Sequence, residues 1–227
     1  MKPEDLDRQE ILMYLRSPEL DASLNAMLDD CMEKLCAAAQ PRVIWRILPV
    51  QQTEHGAVLG GLPLGGRDIA LHLSGCDAAV LLAATLSAPA DALIRRAEVG
   101  DMTRAVMLDA VAGAAIEHVC NELEQGLKRE LDYPYFTERY SAGYGDFPLS
   151  QQRDLIQLLD ATRKIGLTVT PQNTLLPMKS VTAVIGLSHE PVKDARRYCC
   201  GKSCGECPNR DGCAFFREED LPNQEEE

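Results

Sequence analysis

The chain has 227 residues, enough to bury one substantial core and cramped for two full domains. Its 35 acidic against 23 basic side chains give a formal net charge of -12, which argues against a nucleic-acid partner because phosphate neutralisation needs a basic surface. No apolar run approaches the roughly 18 residues of a membrane span, and Met1-Lys-Pro-Glu-Asp-Leu-Asp7 lacks the features of a secretory leader, so a cytoplasmic protein without a membrane partner is expected.

Helix signals dominate the first forty residues. Pro3 suits a first helical turn, and Ile11, Leu12, Tyr14 and Leu15 supply an apolar face before Ser17-Pro18 breaks it. Asp21 is placed to cap a helix running to about Ala39, with Leu24, Leu28, Cys31, Met32, Leu35 and Cys36 on one face. Pro41 stops it. Arg42 to Val50 has the β-branched and aromatic content of a strand, and Ala57-Val-Leu59 reads as a second. The glycines and Pro63 that follow read as connecting structure. A short helix at Asp68 to Leu73 precedes Ala78-Ala-Val-Leu-Leu-Ala-Ala-Thr-Leu86, an unbroken apolar run expected to be a central strand buried on both faces.

A helix through Asp91 to Ala97 is followed by a longer one from about Met102 to Leu131. Its first half carries Ala105, Ala110, Ala112, Gly113, Ala114 and Ala115, small residues that allow close packing. Tyr133-Pro-Tyr-Phe136 leads into a Gly-rich segment, a helix from about Ser150 to Ile165, and strands at Leu167 to Thr170 and Ser180 to Leu187. Helices and strands mix without regular alternation, so the expected fold class is α+β, a twisted and largely antiparallel sheet with packed helices. No Gly-x-Gly-x-x-Gly follows a strand, which argues against a dinucleotide fold. The expected organisation is an N-terminal helical segment over 1-40, a main domain over 41-190, a Cys-rich metal-binding segment over 191-217 and an acidic, frayed tail over 218-227 with six acidic residues.

The nine cysteines fall into two groups. Cys31, Cys36, Cys76 and Cys120 are dispersed in apolar or helical contexts and read as small buried hydrophobes. Cys200-x3-Cys204-x2-Cys207-x5-Cys213, with Cys199 as a spare, offers four soft ligands in a compact C-terminal loop, suited either to tetrahedral zinc or to an iron-sulfur cluster. Spacing alone does not separate the two. Part of it also occurs in radical S-adenosylmethionine enzymes, but those need a complete barrel around it. His55, His72, His118 and His189 have no mutual metal-ligand spacing.

Three segments carry a resemblance. Arg139-Tyr-Ser-Ala-Gly-Tyr-Gly-Asp-Phe-Pro148 fits an Arg-x-x-x-Gly-Tyr motif with a nearby proline. Gly166-Leu-Thr-Val-Thr170, Leu176-Pro177 and Ser180-Val-Thr-Ala183 form a second pattern, and the helix bearing Ile116-Glu117 a third and weaker one. Together, over about residues 65 to 188, the chain resembles the activation (reactivation) domain of vitamin B12 (cobalamin)-dependent methionine synthase, in a stand-alone form. That resemblance implies a module that binds S-adenosylmethionine and supports reductive methylation of cobalamin. The cobalamin would be carried by a partner, a truncated cobalamin-dependent methionine synthase or another corrinoid protein, with an electron-donor protein besides. The chain would be a component of a methyltransferase, with no catalytic residue of its own.

The resemblance also distributes roles over the site. Arg139 would hold the ligand carboxylate with a bidentate fork, the alternative being a strand-end salt bridge. Gly143 and Gly145 would allow close approach, leaving the amides near Ser141 and Ala142 to meet the ligand. Tyr144 would pack on the ligand, the alternative being a half-buried turn aromatic. Glu117 would hold the ammonium or sulfonium, the alternative being a solvated helix face among Glu122, Glu124 and Glu130. Ile185 stands where the family has a tyrosine near the ligand, so the adenine or ribose contact made there must be lost or replaced. A second reading, from another class of function, is a non-catalytic redox or docking adaptor in which the cysteine cluster does the work.

Overall fold

A computed structural model describes residues 1-54 and 56-192. The four-cysteine cluster and the acidic tail lie outside the described residues. Secondary structure begins with a short 3-10 turn, Pro3–Asp5, and two helices, α1 (Arg8–Leu15) and α2 (Ala22–Ala38). Their starts follow from capping, since the Asp7 carboxylate accepts from the Gln9 amide at 2.8 Å and Asp21 from the Leu24 amide at 2.9 Å. Next come β1 (Arg42–Thr53), β2 (Gly56–Leu59), β3 (Leu62–Leu64), α3 (Arg67–His72) and β4 (Ala78–Thr85). Then α4 (Ala88–Gly100), α5 (Met102–Glu130), β5 (Tyr135–Phe136), α6 (Gln152–Leu159), α7 (Ala161–Ile165), β6 (Thr168–Val169), β7 (Leu175–Leu176) and β8 (Ser180–Ser188) complete the order.

Six strands form one sheet in the order β3-β2-β1-β4-β8-β5, every pairing antiparallel, and β6 pairs β7 in a separate ribbon. The fold is α+β, as the mixed pattern predicts. All eight residues of β4 are buried because neighbours flank it on both edges and helices cover both faces. Alternation sorts its side chains. Ala79, Leu81 and Ala83 face a core shared with Ile69, Phe147, Leu155 and Leu159 from the α3 and α6 side. Ala78, Val80 and Leu82 face Leu127 of α5. The first half of α5 packs through Leu108, Val111, Ala112 and Ala115 with Ile11 of α1, Leu28 and Leu35 of α2, and Ile94 of α4.

Several boundaries depart from the sequence pattern. Pro63 sits in β3 rather than in a connection, at the sheet's outer edge, where a missing amide hydrogen costs no ladder bond. The single helix expected over 150-165 is broken into α6 and α7 by Asp160, whose left-handed backbone (φ 56) an aspartate tolerates. The two-residue strands β5 and β7 are too short to leave a periodic signal. Of the dispersed cysteines, Cys31, Cys76 and Cys120 are buried and Cys36 is half-buried, all as free thiols. Burial pushes the Cys76 thiol up to about 11 and the Cys120 thiol up to about 12, so neither is poised to react.

Candidate functional site

The segment after β5 runs along the outer edge of β8. Tyr135 pairs Ser188 and Phe136 pairs Leu187, the Thr137 amide donates to the Gly186 carbonyl at 3.0 Å, and Tyr140 exchanges two backbone bonds with Val184. From Thr137 to Tyr140 is three steps, whereas from Gly186 to Val184 is two. One extra residue is therefore accommodated on the outer strand, a β-bulge at Glu138-Arg139 opposite Ile185. The bulge decides the site. Tyr140 joins the α3 and α6 side of the sheet with Val184, while Arg139 is released to the opposite side, toward α5.

There its guanidinium meets one face of α5. Arg139 Nη2 donates to Glu117 Oε2 at 2.9 Å and to Asn121 Oδ1 at 2.8 Å, and Nη1 donates to Glu124 Oε2 at 2.9 Å. These three acceptors sit at helical spacings of four and three, which places them in one row. Lys128, one turn further on, donates to Glu124 Oε1 at 2.7 Å. The Arg139 side chain is only 19% exposed and that of Glu124 11%. Glu124, which from sequence only supports the solvated-face alternative for Glu117, is thus a buried ion-pair partner. Asn121 was not singled out at all, although its place four residues after Glu117 was the available signal.

Beyond Arg139 the chain turns tightly. The Gly143 amide donates to the Phe147 carbonyl at 2.8 Å and the Phe147 amide returns to Tyr144 at 2.9 Å. Both glycines have positive φ, +100 at Gly143 and +51 at Gly145. A side chain at Gly145 would in addition collide with the Asp68 carboxylate and the Tyr140 hydroxyl. The loop is also clamped to α3, because the Asp146 carboxylate accepts from the Arg67 and Asp68 amides at 2.8 and 2.9 Å while Asp68 accepts from the Asp146 amide at 3.2 Å. Those backbone donors hold the Asp146 carboxyl below its usual range. Phe147 fills the core beneath. Ala142 is buried, Ser141 half-buried, and their two amides have no acceptor among the described residues. Tyr144 is 61% exposed, edge-on to Tyr140 at 6.1 Å, so it is neither half-buried nor held.

Two further groups complete the surroundings. His72 of α3 takes part in a 2.8 Å hydrogen bond with Thr137 Oγ1, which itself accepts from the Gly186 amide at 2.7 Å. Burial lowers the His72 pKa to about 4, partly offset by a hydrogen bond to the Glu138 backbone, so the ring is neutral. Its place beneath Tyr140, with ring centroids 4.9 Å apart, makes it a support of the loop. Ile185 is fully buried among Val80, Ala183 and Leu127, under the bulge. Among the described residues no group of three or more His, Cys, Asp and Glu side chains is arranged to hold a metal, and no helix is long and apolar enough to cross a membrane.

The structure thus joins Arg139 to Glu117, Asn121 and Glu124 of α5 in one polar network, next to a tight loop whose Ser141 and Ala142 amides have no acceptor among the described residues. The scaffold that carries it is a known one. The chain shares its fold with the MetH reactivation domain, whose crystal structure bound to AdoHcy superimposes with a TM-score of 0.65 over 89% of this chain and 80% of that one, at 16% sequence identity. No family model matches the sequence, and no curated protein does.

Proposed function

We propose that the chain is an S-adenosylmethionine-binding module that supports reductive methylation of cobalamin on a separate methionine synthase or related corrinoid protein. The fold likeness to a reactivation domain bound to AdoHcy carries this reading. Arg139, the amides of Ser141 and Ala142, and Glu117 supply donors and an acceptor of the kinds that an amino-acid carboxylate and a cationic centre require. In this reading the protein positions the ligand and supplies electrostatics, with Gly143 allowing close approach and Tyr144 closing over it. The methyl leaves sulfur, which keeps the bonding electron pair, and passes to the partner's corrinoid once that has taken up an electron from a donor protein. No proton moves, so the site needs no general base.

The Cys200, Cys204, Cys207 and Cys213 thiolates belong to the same proposal as holders of an iron-sulfur cluster or zinc. An iron-sulfur cluster would relay the electron, whereas zinc would make the segment a docking element. Metal analysis and the visible absorbance of anaerobically purified protein separate them: colourless protein with one zinc excludes the relay.

Titration calorimetry with S-adenosylmethionine tests the main reading. Saturable binding that falls more than about a hundredfold in Arg139→Ala is expected, since a buried charge-assisted pair is lost. No heat in the native protein, or equal affinity in the variant, would leave the adaptor reading in its place.

A further inference from the structure

α1 lies across α5 beside the row of site residues. The ring of Tyr14 rests on Gly113, where an added Cβ would stand 3.2 Å from the Tyr14 ring edge and the ring would have to give by a few tenths of an ångström. Gly113 is one turn before Glu117 on the same face of α5. The Tyr14 hydroxyl donates to Glu10 Oε1 at 3.1 Å. Glu10 and Tyr14 respond to the same groups as the site. Burial, and then the Glu10 and Glu117 charges, raise the Tyr14 hydroxyl, with Tyr144 contributing, while Glu10 is raised by burial and feels both Glu117 and Arg139. Even so, Tyr14 keeps 44% of its surface exposed. An open aromatic face with two carboxylates nearby is a place for a cation.

We infer that α1 forms a wall of the ligand cleft, in which Tyr14 and Glu10 recognise the positive charge of the sulfonium. This rests on the S-adenosylmethionine reading and extends it to residues that the Arg139 loop does not contain. Methionine-end contacts belong to Arg139 and the loop amides, and the charge that distinguishes S-adenosylmethionine from its demethylated thioether is read from the other side of α5's polar row. With Ile185 buried in the core, Tyr14 is also an aromatic surface that position 185 does not provide.

The test compares S-adenosylmethionine with S-adenosylhomocysteine, which differ by one methyl group and one charge, in the native full chain and in three variants. Tyr14→Leu keeps apolar bulk on Gly113 but removes the ring. Glu10→Gln keeps an acceptor for the Tyr14 hydroxyl but removes the charge. Gly113→Ala leaves every polar group in place, favours the helix and pushes the Tyr14 ring aside, so its result does not depend on a weakened fold. Tyr14→Leu and Glu10→Gln are each expected to lose roughly tenfold in affinity for the sulfonium ligand and less than about threefold for the thioether, with a smaller loss of the same selectivity in Gly113→Ala. Equal loss for both ligands, or no loss in any variant while the native chain binds, overturns the sulfonium wall and leaves the ligand reading standing. A native chain that binds neither ligand removes both.

Discussion

Arg139 and Phe147 bound one short loop, yet its two sides are built on different physics. On the α3 and α6 side, Phe147, Tyr140 and Ala142 are anchored by burial in a core with Leu155 and Leu159, and hydrogen bonds between Asp68, Asp146 and the backbone fix the turn. On the α5 side, Arg139 is held by three polar acceptors and by no apolar cluster. A packed side chain has one good arrangement, whereas a guanidinium can exchange one carboxylate for another. The loop therefore keeps its shape from one side and makes its exchangeable contacts on the other.

The largest expected effect tests the packed side. Phe147→Ala should cost about 3–5 kcal/mol in urea denaturation, because a 1% exposed ring leaves a cavity beneath the turn. A loss below about 1 kcal/mol would mean that the clamp to α3, not the core, holds the loop. Acid comes next. His72 is neutral in the fold with a pKa lowered to about 4, against about 6.5 when unfolded, so below pH 6.5 the unfolded chain gains a proton that the folded chain refuses. Stability should fall by about 3 kcal/mol as pH drops from 6.5 to 4, and the His72→Gln variant should lose that component of the slope. On the other side, Arg139→Met leaves Glu117 and the buried Glu124 without their shared cation and should cost about 2 kcal/mol, less if Lys128 takes over both carboxylates. A cost above that for Phe147→Ala would reverse the comparison. Smallest of all, Tyr144→Ala should change stability by less than about 0.5 kcal/mol, since its ring is exposed.

Much of the scaffold could be read in the residues alone. The apolar run from Ala78 to Leu86 suggests a strand covered on both faces, which β4 is, and the small residues of α5 allow the close packing that its first half shows. Asp21 capped the helix it was expected to cap. The resemblance of the Arg139 segment and the fold of the chain point the same way. What escaped were features made by pairing rather than composition. The bulge at Glu138-Arg139 exists only relative to β8, so nothing in the local sequence marks the residue whose direction it reverses. Glu124 looked like one more solvent charge because burial depends on an arginine fifteen positions away. Tyr14 lies far from the loop in sequence, and its partner is the absence of a side chain at Gly113.

The occupied state of Arg139 has a consequence for how affinity responds to the medium. Because Glu117, Asn121 and Glu124 already satisfy the guanidinium, a ligand carboxylate bound as proposed would take the place of Glu117 rather than a vacant one, and Glu117 would be free to meet the ligand's ammonium. One ion pair within the protein would become two with the ligand. With carboxylate and ammonium cancelling within the ligand, the sulfonium leaves S-adenosylmethionine one positive charge against a chain of formal net charge -12, so raising salt from about 0.05 to 0.5 M should weaken its binding, through shorter screening lengths, more than that of the net-neutral thioether.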